Sequence, residues 1–325
     1  MKGNATMTLS RELTIFEGPD GAGKTTLAKA YAELTGARYV HFGPLPRVVN
    51  GLMRMYVEAM LPAILGYQSV VFDRSWLSEY PYGTVFRAGQ DRLGPVYVRM
   101  LERLALRCGG VVVLCLPPKD VVTENYKRRK RDEYLTSVKQ VDRVYDIYKT
   151  LLSQSTGVAY LNALPLTRYS YVDYANSANS LQNTVCDVMA WVDRIRPERH
   201  DTSHASAGCL GGATVLVGES FAQHGNLDPW YQWPFASFSK AGCSWWLTNE
   251  LIKAGVAERD LYWINADQPL AHLDQTSHRI IALGDVAADR LKHYVQRPFE
   301  RCHHPEYWSR FRSSEPYPLL SMLTV

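Results

Sequence analysis

Short apolar runs alternate with segments of helical period through the first 196 residues of the chain. "LTIFEG", "ARYVHFG", "SVVFDRS", "GGVVVLCLPP" and "VAYLNA" read as strands, each next to a periodic stretch. That alternation predicts an α/β unit whose parallel sheet carries helices on both faces. Lys24 to Thr35 reads as a helix stopped at Gly36, and Leu181, Val185, Val188, Trp191 and Ile195 form one apolar stripe of a later helix. Core packing is sufficient to explain that stripe. "DTSHASAGCLGGA" is small, polar, rich in glycine and aperiodic, so residues 197–212 read as a flexible linker. "TVLVGES" then opens a second, smaller α/β unit over 213–325, with further strands at "LYWINA" and "RIIALGD". There is no internal repeat.

Composition narrows this picture. The chain has 325 residues, 46% hydrophobic and 21% charged, which is globular composition with length for two cores. No apolar run approaches the roughly 20 residues of a membrane span, and "MKGNATMTLSRELT" lacks the apolar core of a secretory signal. The expectation is a soluble cytoplasmic protein with no membrane partner. Six scattered cysteines without a C-x-x-C pair signal neither a disulfide framework nor a metal or cluster site, and read as buried free thiols. A formal net charge of +4 is too small to name a partner.

The chemistry begins at "EGPDGAGKTTL", Glu17 to Leu27. Gly18, four residues, Gly23, Lys24 and Thr25 satisfy G-x-x-x-x-G-K-[ST] between an apolar strand and a helix. Glycines let successive backbone N–H groups turn toward phosphates, and the helix N-terminus favours negative charge. The loop predicts ATP binding through Gly18, Asp20, Gly21, Ala22, Gly23, Lys24, Thr25 and Thr26, with Lys24 on the β- and γ-phosphates and Thr25 on Mg²⁺.

GTPases and motor ATPases share such a loop, so the acceptor must be sought elsewhere. "VVFDRS" delivers Asp73 and Arg74 to the C-terminal end of a strand, where open α/β sheets bind ligands. Asp73 can accept a proton from an attacking hydroxyl or help hold Mg²⁺, and Arg74 can neutralise phosphate charge; a surface ion pair would look the same. "ENYKRRKRDEY" reads either as a solvated helix face or as a lid closing over the transferred phosphate, with Arg128 and Arg131 as its candidate catalytic arginines.

The loop with Asp20 inside it, the "FDRS" strand end and the basic run together resemble thymidylate kinases and their relatives in bacteriophages, over most of residues 11–160. The resemblance implies that Asp20 lies near the acceptor's sugar and that Asp73 and Arg74 serve the acceptor side. Where thymidylate kinases continue with a serine-rich helix ending in Tyr-Gln, this chain has "SWLSEYPYGTVFRAGQDRL". Tyr82 and Arg87 become the candidate acceptor contacts there, although a core role accounts for the tyrosine equally.

In the second unit, "VLVGES", "WPFASFSKAGCSWWL", "LYWINA", "RIIALGDVA" and "RCHHPEYWSRF" follow in an order that resembles the uracil-DNA glycosylase superfamily, from Val215 to Phe311. That resemblance places Glu219, Asn265 and His304 around a flipped base and Phe235 against its face, the way an extruded pyrimidine is read. The chain departs from it at Ser220-Phe221-Ala222, where Ala-Pro-Gly is usual. Base recognition survives that departure better than glycosidic cleavage does. A plain α/β domain in which these residues pack or cap is the other reading.

A kinase-like unit joined to a base-reading unit suggests an acceptor embedded in DNA. The whole resembles bacteriophage kinases that phosphorylate 5-hydroxymethyluracil in DNA during thymine hypermodification. That resemblance implies ATP and Mg²⁺, a DNA partner carrying a modified thymine, and the cytoplasm of an infected host. Two alternatives stay open: a kinase of free dTMP or 5-hydroxymethyl-dUMP, and a nucleotide-gated DNA-binding or glycosylase repair protein.

Overall fold

A computed structural model of the chain describes residues 11–43, 51–90, 92–128, 137–152, 164, 166–169, 181–199, 205–220 and 242–324. The apolar runs become strands covered on both faces, as parallel sheets require. Leu13–Glu17 (β1), Val70–Asp73 (β3) and Val111–Cys115 (β4) are buried throughout. With Arg38–His41 (β2) and Leu166–Tyr169 (β5) they form a wholly parallel sheet in the order β2-β3-β1-β4-β5. The "VAYLNA" run, expected as the last strand, lies outside the described residues.

Seven helices are described in this unit: Lys24–Thr35 (α1), Leu52–Ile64 (α2), Glu79–Phe86 (α3), Pro95–Arg107 (α4), Lys119–Arg128 (α5), Val138–Leu152 (α6) and Leu181–Ile195 (α7). The two-residue period of β1 splits them between the faces. Leu13 and Ile15 pack with α2 and α4, whereas Phe16 packs with α1, α6 and α7. Gly36 stops α1 as expected, in the left-handed conformation at φ 67°. In α7 the buried stripe is Thr184, Val185, Val188 and Val192; Trp191 is 37% exposed, because a period of 3.6 residues turns it off the face that Val192 occupies.

The second sheet is built from Thr214–Gly218 (β7), Leu261–Asn265 (β8), Arg279–Leu283 (β9) and Glu300–Cys302 (β10), all parallel, and Ser206–Gly208 (β6), antiparallel to β8. Its order is β10-β9-β7-β8-β6. Asp285–Tyr294 (α9) covers one face; Cys243–Lys253 (α8), Pro305–Phe311 (α10) and Pro318–Leu323 (α11) cover the other.

β6 corrects the reading of 197–212 as a linker. Its glycine provides close approach: a Cβ on Gly208, at φ +79°, would lie 2.5 Å from the Leu261 carbonyl oxygen and 2.7 Å from the Trp263 ring. Upstream, Arg196 ties the end of α7 back to the first sheet, donating to the Leu13 carbonyl at 3.0 Å and pairing with Glu12 at 2.9 Å. The two units then meet through α4, whose Arg99, Glu102, Arg103 and Arg107 are all buried. Arg103 Nε and Nη2 reach the two carboxylate oxygens of Glu258 at 3.1 and 2.5 Å, and Arg107 donates to the Ser206 hydroxyl at 2.9 Å. Tyr97 meets Trp245 edge-on at 4.8 Å between ring centres.

The six cysteines are free, four of them buried; Cys186 is exposed and Cys243 partly so. No helix among the described residues is long and apolar enough to cross a membrane.

Candidate functional site

The loop after β1 is shaped by what its glycines permit. Gly18, Gly21 and Gly23 sit at φ 140°, 87° and 78°. A Cβ on Gly18 would lie 2.3 Å from the Cys115 carbonyl oxygen, and one on Gly21 2.5 Å from that of Val122. The loop is thus wedged between the end of β4 and the first turns of α5, and Asn125 secures it by donating to the Gly21 carbonyl at 3.0 Å. α1 starts without a side-chain cap and without an acidic residue in its first turn. Its unsatisfied N–H groups and positive dipole end are therefore open to a phosphate.

Lys24 is buried, with Nζ 3.2 Å from the Pro19 carbonyl oxygen and 3.9 Å from Asp20. Burial, and then the charge of Arg74, hold its pKa below the ordinary lysine value. Ala22 is buried, Thr25 partly exposed and Thr26 exposed.

Two carboxylates at neighbouring strand ends show opposite habits. Glu17 is buried and saturated: Ser75 donates to Oε1 from its N–H at 2.6 Å and its hydroxyl at 2.8 Å, while Ser78 and Tyr148 donate to Oε2 at 2.7 and 2.8 Å. Such a group ties β1 to α6 and to the turn after β3. Asp73 is also buried, but its donors converge on one oxygen. Tyr39 donates to Oδ2 at 2.8 Å, His41 Nδ1 lies 2.8 Å from the same atom, and Oδ1 has no hydrogen-bond partner. Burial alone would raise the Asp73 pKa; His41, Lys24, Thr25 and Tyr39 outweigh it and hold the carboxyl far below the usual range. Asp73 is an anion whose Oδ1 makes no hydrogen bond, and Thr25 lies near enough to its carboxyl to help lower the pKa.

The third group is Asp20, Arg74 and Tyr82. Arg74 Nη2 pairs with Asp20 Oδ1, the Tyr82 hydroxyl donates to Asp20 Oδ2 at 3.1 Å, and the Arg74 guanidinium lies 4.6 Å from the Tyr82 ring centre. Arg74 holds a left-handed backbone at φ 73°, an unfavourable conformation for an arginine of the kind found at functional sites. Burial opposes its charge, but Asp20 raises its pKa well above the ordinary value.

The loop fits a polyphosphate, since its three glycines at positive φ lead into an uncapped helix N-terminus that begins at Lys24. Thr25 and the free Asp73 oxygen fit Mg²⁺, which takes few protein ligands and completes its shell with phosphate and water. Among the described residues no group of three or more His, Cys, Asp or Glu side chains is placed to hold a metal unaided.

The other expected residues divide. Arg87 is at the end of α3, where it donates to the Glu79 carbonyl and carboxylate, both at 3.0 Å, next to Arg92. This ion pair engages the guanidinium that the sequence offers as an acceptor contact. Arg128 is exposed on the last turn of α5; Arg131 and Phe235 lie outside the described residues.

In the second unit Glu219 follows β7, buried Asn265 ends β8 and His304 follows β10, so all three collect at the C-terminal edge of that sheet. A Cβ on Gly284 would lie 2.6 Å from the Glu219 carboxylate and 3.2 Å from His304 Cβ, which brings those two side chains together over one glycine. His304 Nδ1 accepts from the Glu306 N–H at 3.2 Å and caps α10.

Glu17, Tyr39, His41 and Asn125 were not legible as site residues. "EGPDGAGKT" displays Glu17 at the loop's entrance, but no local pattern says that β2 lies beside β3.

No family model matches the chain, and no curated protein matches it. Solved structures similar to it include the Bacillus subtilis YorR protein in complex with phosphorylated GDP, at 20% identity over 56% of this chain and 95% of that one, with a TM-score of 0.41. Deoxyadenosine kinase from M. mycoides is similar with dCTP bound, at 15% identity, 55% and 99% coverage and a TM-score of 0.35, and with dATP bound, at 15% identity, the same coverage and a TM-score of 0.33.

Proposed function

We propose that the protein is an ATP-dependent kinase that phosphorylates the hydroxymethyl group of 5-hydroxymethyluracil in DNA. The kinase half of this reading is carried by one observation, the placing of Lys24, Thr25 and the half-satisfied Asp73 around a glycine-shaped phosphate loop. Thr25 and Asp73 would hold Mg²⁺, which would supply positive charge to offset that of the nucleotide's phosphates. Lys24 supplies positive charge to the same phosphates. The acceptor oxygen bonds to the γ-phosphorus as the bond to the β-phosphate oxygen breaks, ADP leaves, and the hydroxyl proton passes to solvent or to the product phosphate. Asp73 orients that hydroxyl, and Arg74, preset by Asp20 and Tyr82, balances the charge on the acceptor side.

DNA as the acceptor is supported by the second unit: its sheet gathers Glu219, Asn265 and His304 at one edge in the order of the uracil-DNA glycosylase resemblance, and α4 packs it onto residues 1–196. Transfer to a free nucleotide is the second reading, favoured by the Asp20, Arg74 and Tyr82 group, which lies wholly within the first unit.

The test is to offer Mg²⁺ and γ-labelled ATP with dTMP, 5-hydroxymethyl-dUMP, unmodified DNA and 5-hydroxymethyluracil DNA in parallel. Label on the modified DNA alone is expected. Label confined to a monophosphate would return the protein to free-nucleotide kinases, and release of free base would make the second unit a glycosylase.

A further inference from the structure

The contrast between Glu17 and Asp73 isolates two residues with no assigned role. Both carboxylates are buried at strand ends beside the loop. Glu17 uses both oxygens, as a structural carboxylate should, because an unsatisfied buried acceptor costs stability. Asp73 keeps one oxygen bare although two donors stand close by. The donors come from a neighbouring strand. In the parallel register of β2 and β3, His41 stands opposite Asp73 and Tyr39 opposite Val71, so the two-residue period puts both side chains on one side of the edge strand. The Tyr39 ring is braced from α1, with Lys29 Nζ 5.7 Å from its centre. The His41 side chain is 44% exposed while that of Asp73 is wholly buried. An exposed edge-strand imidazole held at 2.8 Å does little for the core, but it fixes a carboxylate's rotation.

We propose that Tyr39 and His41 are positioning residues for phosphoryl transfer, clamping Asp73 Oδ2 so that Oδ1 is held ready for the Mg²⁺-nucleotide complex. The inference rests on the kinase reading of the first unit and is independent of which acceptor is used. Neither residue touches phosphate; both act through Asp73. Outer partners that orient a metal-binding carboxylate typically change metal affinity or activity by about 10- to 100-fold when removed.

The variants are Tyr39→Phe, His41→Leu and His41→Asn, made in the full-length protein. Calorimetry reads ATP affinity with Mg²⁺ and with EDTA, a thermal melt reads folding, and the labelled-phosphate assay reads kcat and KM. Tyr39→Phe and His41→Leu are expected to shrink the Mg²⁺-dependent gain in ATP affinity about 10-fold, leave affinity in EDTA unchanged and lower kcat more than they raise KM. His41→Asn, which keeps a donor, should recover part of the loss. Wild-type Mg²⁺ dependence in both deletion variants overturns the proposal, and so does a loss that follows melting temperature and is not rescued by asparagine. A wild-type protein that binds Mg²⁺-ATP but labels no acceptor refutes the acceptor assignment while the calorimetry still decides the clamp. One that binds no ATP at all overturns both.

Discussion

Arg103 on α4 and Glu258 just before β8 are 155 residues apart in the chain and form a two-pronged ion pair with both side chains buried. The Trp263 indole donates to Glu258 at 3.1 Å, and the Arg103 guanidinium lies 4.1 Å from the Trp263 ring centre. Removing one member leaves the other charged in a dry interface, which costs about 3–5 kcal/mol. Arg103→Ala should therefore unfold at markedly lower urea, and the double variant Arg103→Met, Glu258→Leu should be more stable than either single change. A chain cut after residue 196 loses the Arg103–Glu258, Arg107–Ser206 and Tyr97–Trp245 contacts and should melt at a lower temperature than the full chain. A fragment as stable as the full chain would contradict the interface described.

Glu102 lies on the same helix with neither carboxylate oxygen hydrogen-bonded, and burial pushes it up to about 8, with Arg99 opposing and Glu258 adding. Between its ordinary value of 4.5 and about 8 the folded protein keeps a proton that the unfolded chain has released. Stability contributed by this group is thus full below the lower value and declines as pH rises through the window, at up to about 1.4 kcal/mol per unit. Glu102→Gln removes that slope. Urea midpoints of variant and wild type should be close at pH 5 and diverge in the variant's favour by pH 8; parallel profiles would count against the assignment.

Gly21 and Gly36 separate strain from function. Both have positive φ, but a Cβ on Gly36 meets nothing within 4 Å, whereas one on Gly21 strikes the Val122 carbonyl oxygen. Gly36→Ala should cost about 1–2 kcal/mol and leave ATP affinity unchanged. Gly21→Ala should also push α5 from the loop, break the Asn125 contact and weaken ATP binding by 10-fold or more, on the order of 1.4 kcal/mol. Nucleotide titration of the two proteins discriminates these outcomes.

Lys24 is buried against its own charge preference, so Lys24→Ala should leave the melting temperature unchanged or raised while phosphoryl transfer falls by at least about 100-fold. If the acceptor is DNA as proposed, binding of 5-hydroxymethyluracil DNA, followed by anisotropy, should survive. A variant that loses both functions would show that the loop also holds the second unit in place.

Read from sequence alone, the glycine-rich loop after β1, both sheets' central strands and the stop at Gly36 were determined, because each is written within a few consecutive residues as periodicity or backbone freedom. The charges of α4 carry no such local sign. Arg99, Glu102, Arg103 and Arg107 recur at helical spacing like a solvated face, and only the second sheet's arrival makes them an interface. The glycines of the supposed linker look like flexibility until Gly208 is seen pressed against Leu261. Tyr39 and His41 gained their meaning when β2 paired with β3. Strand order and register join residues distant in the chain, and the free energy that selects them belongs to the packed whole, which no short window of sequence contains.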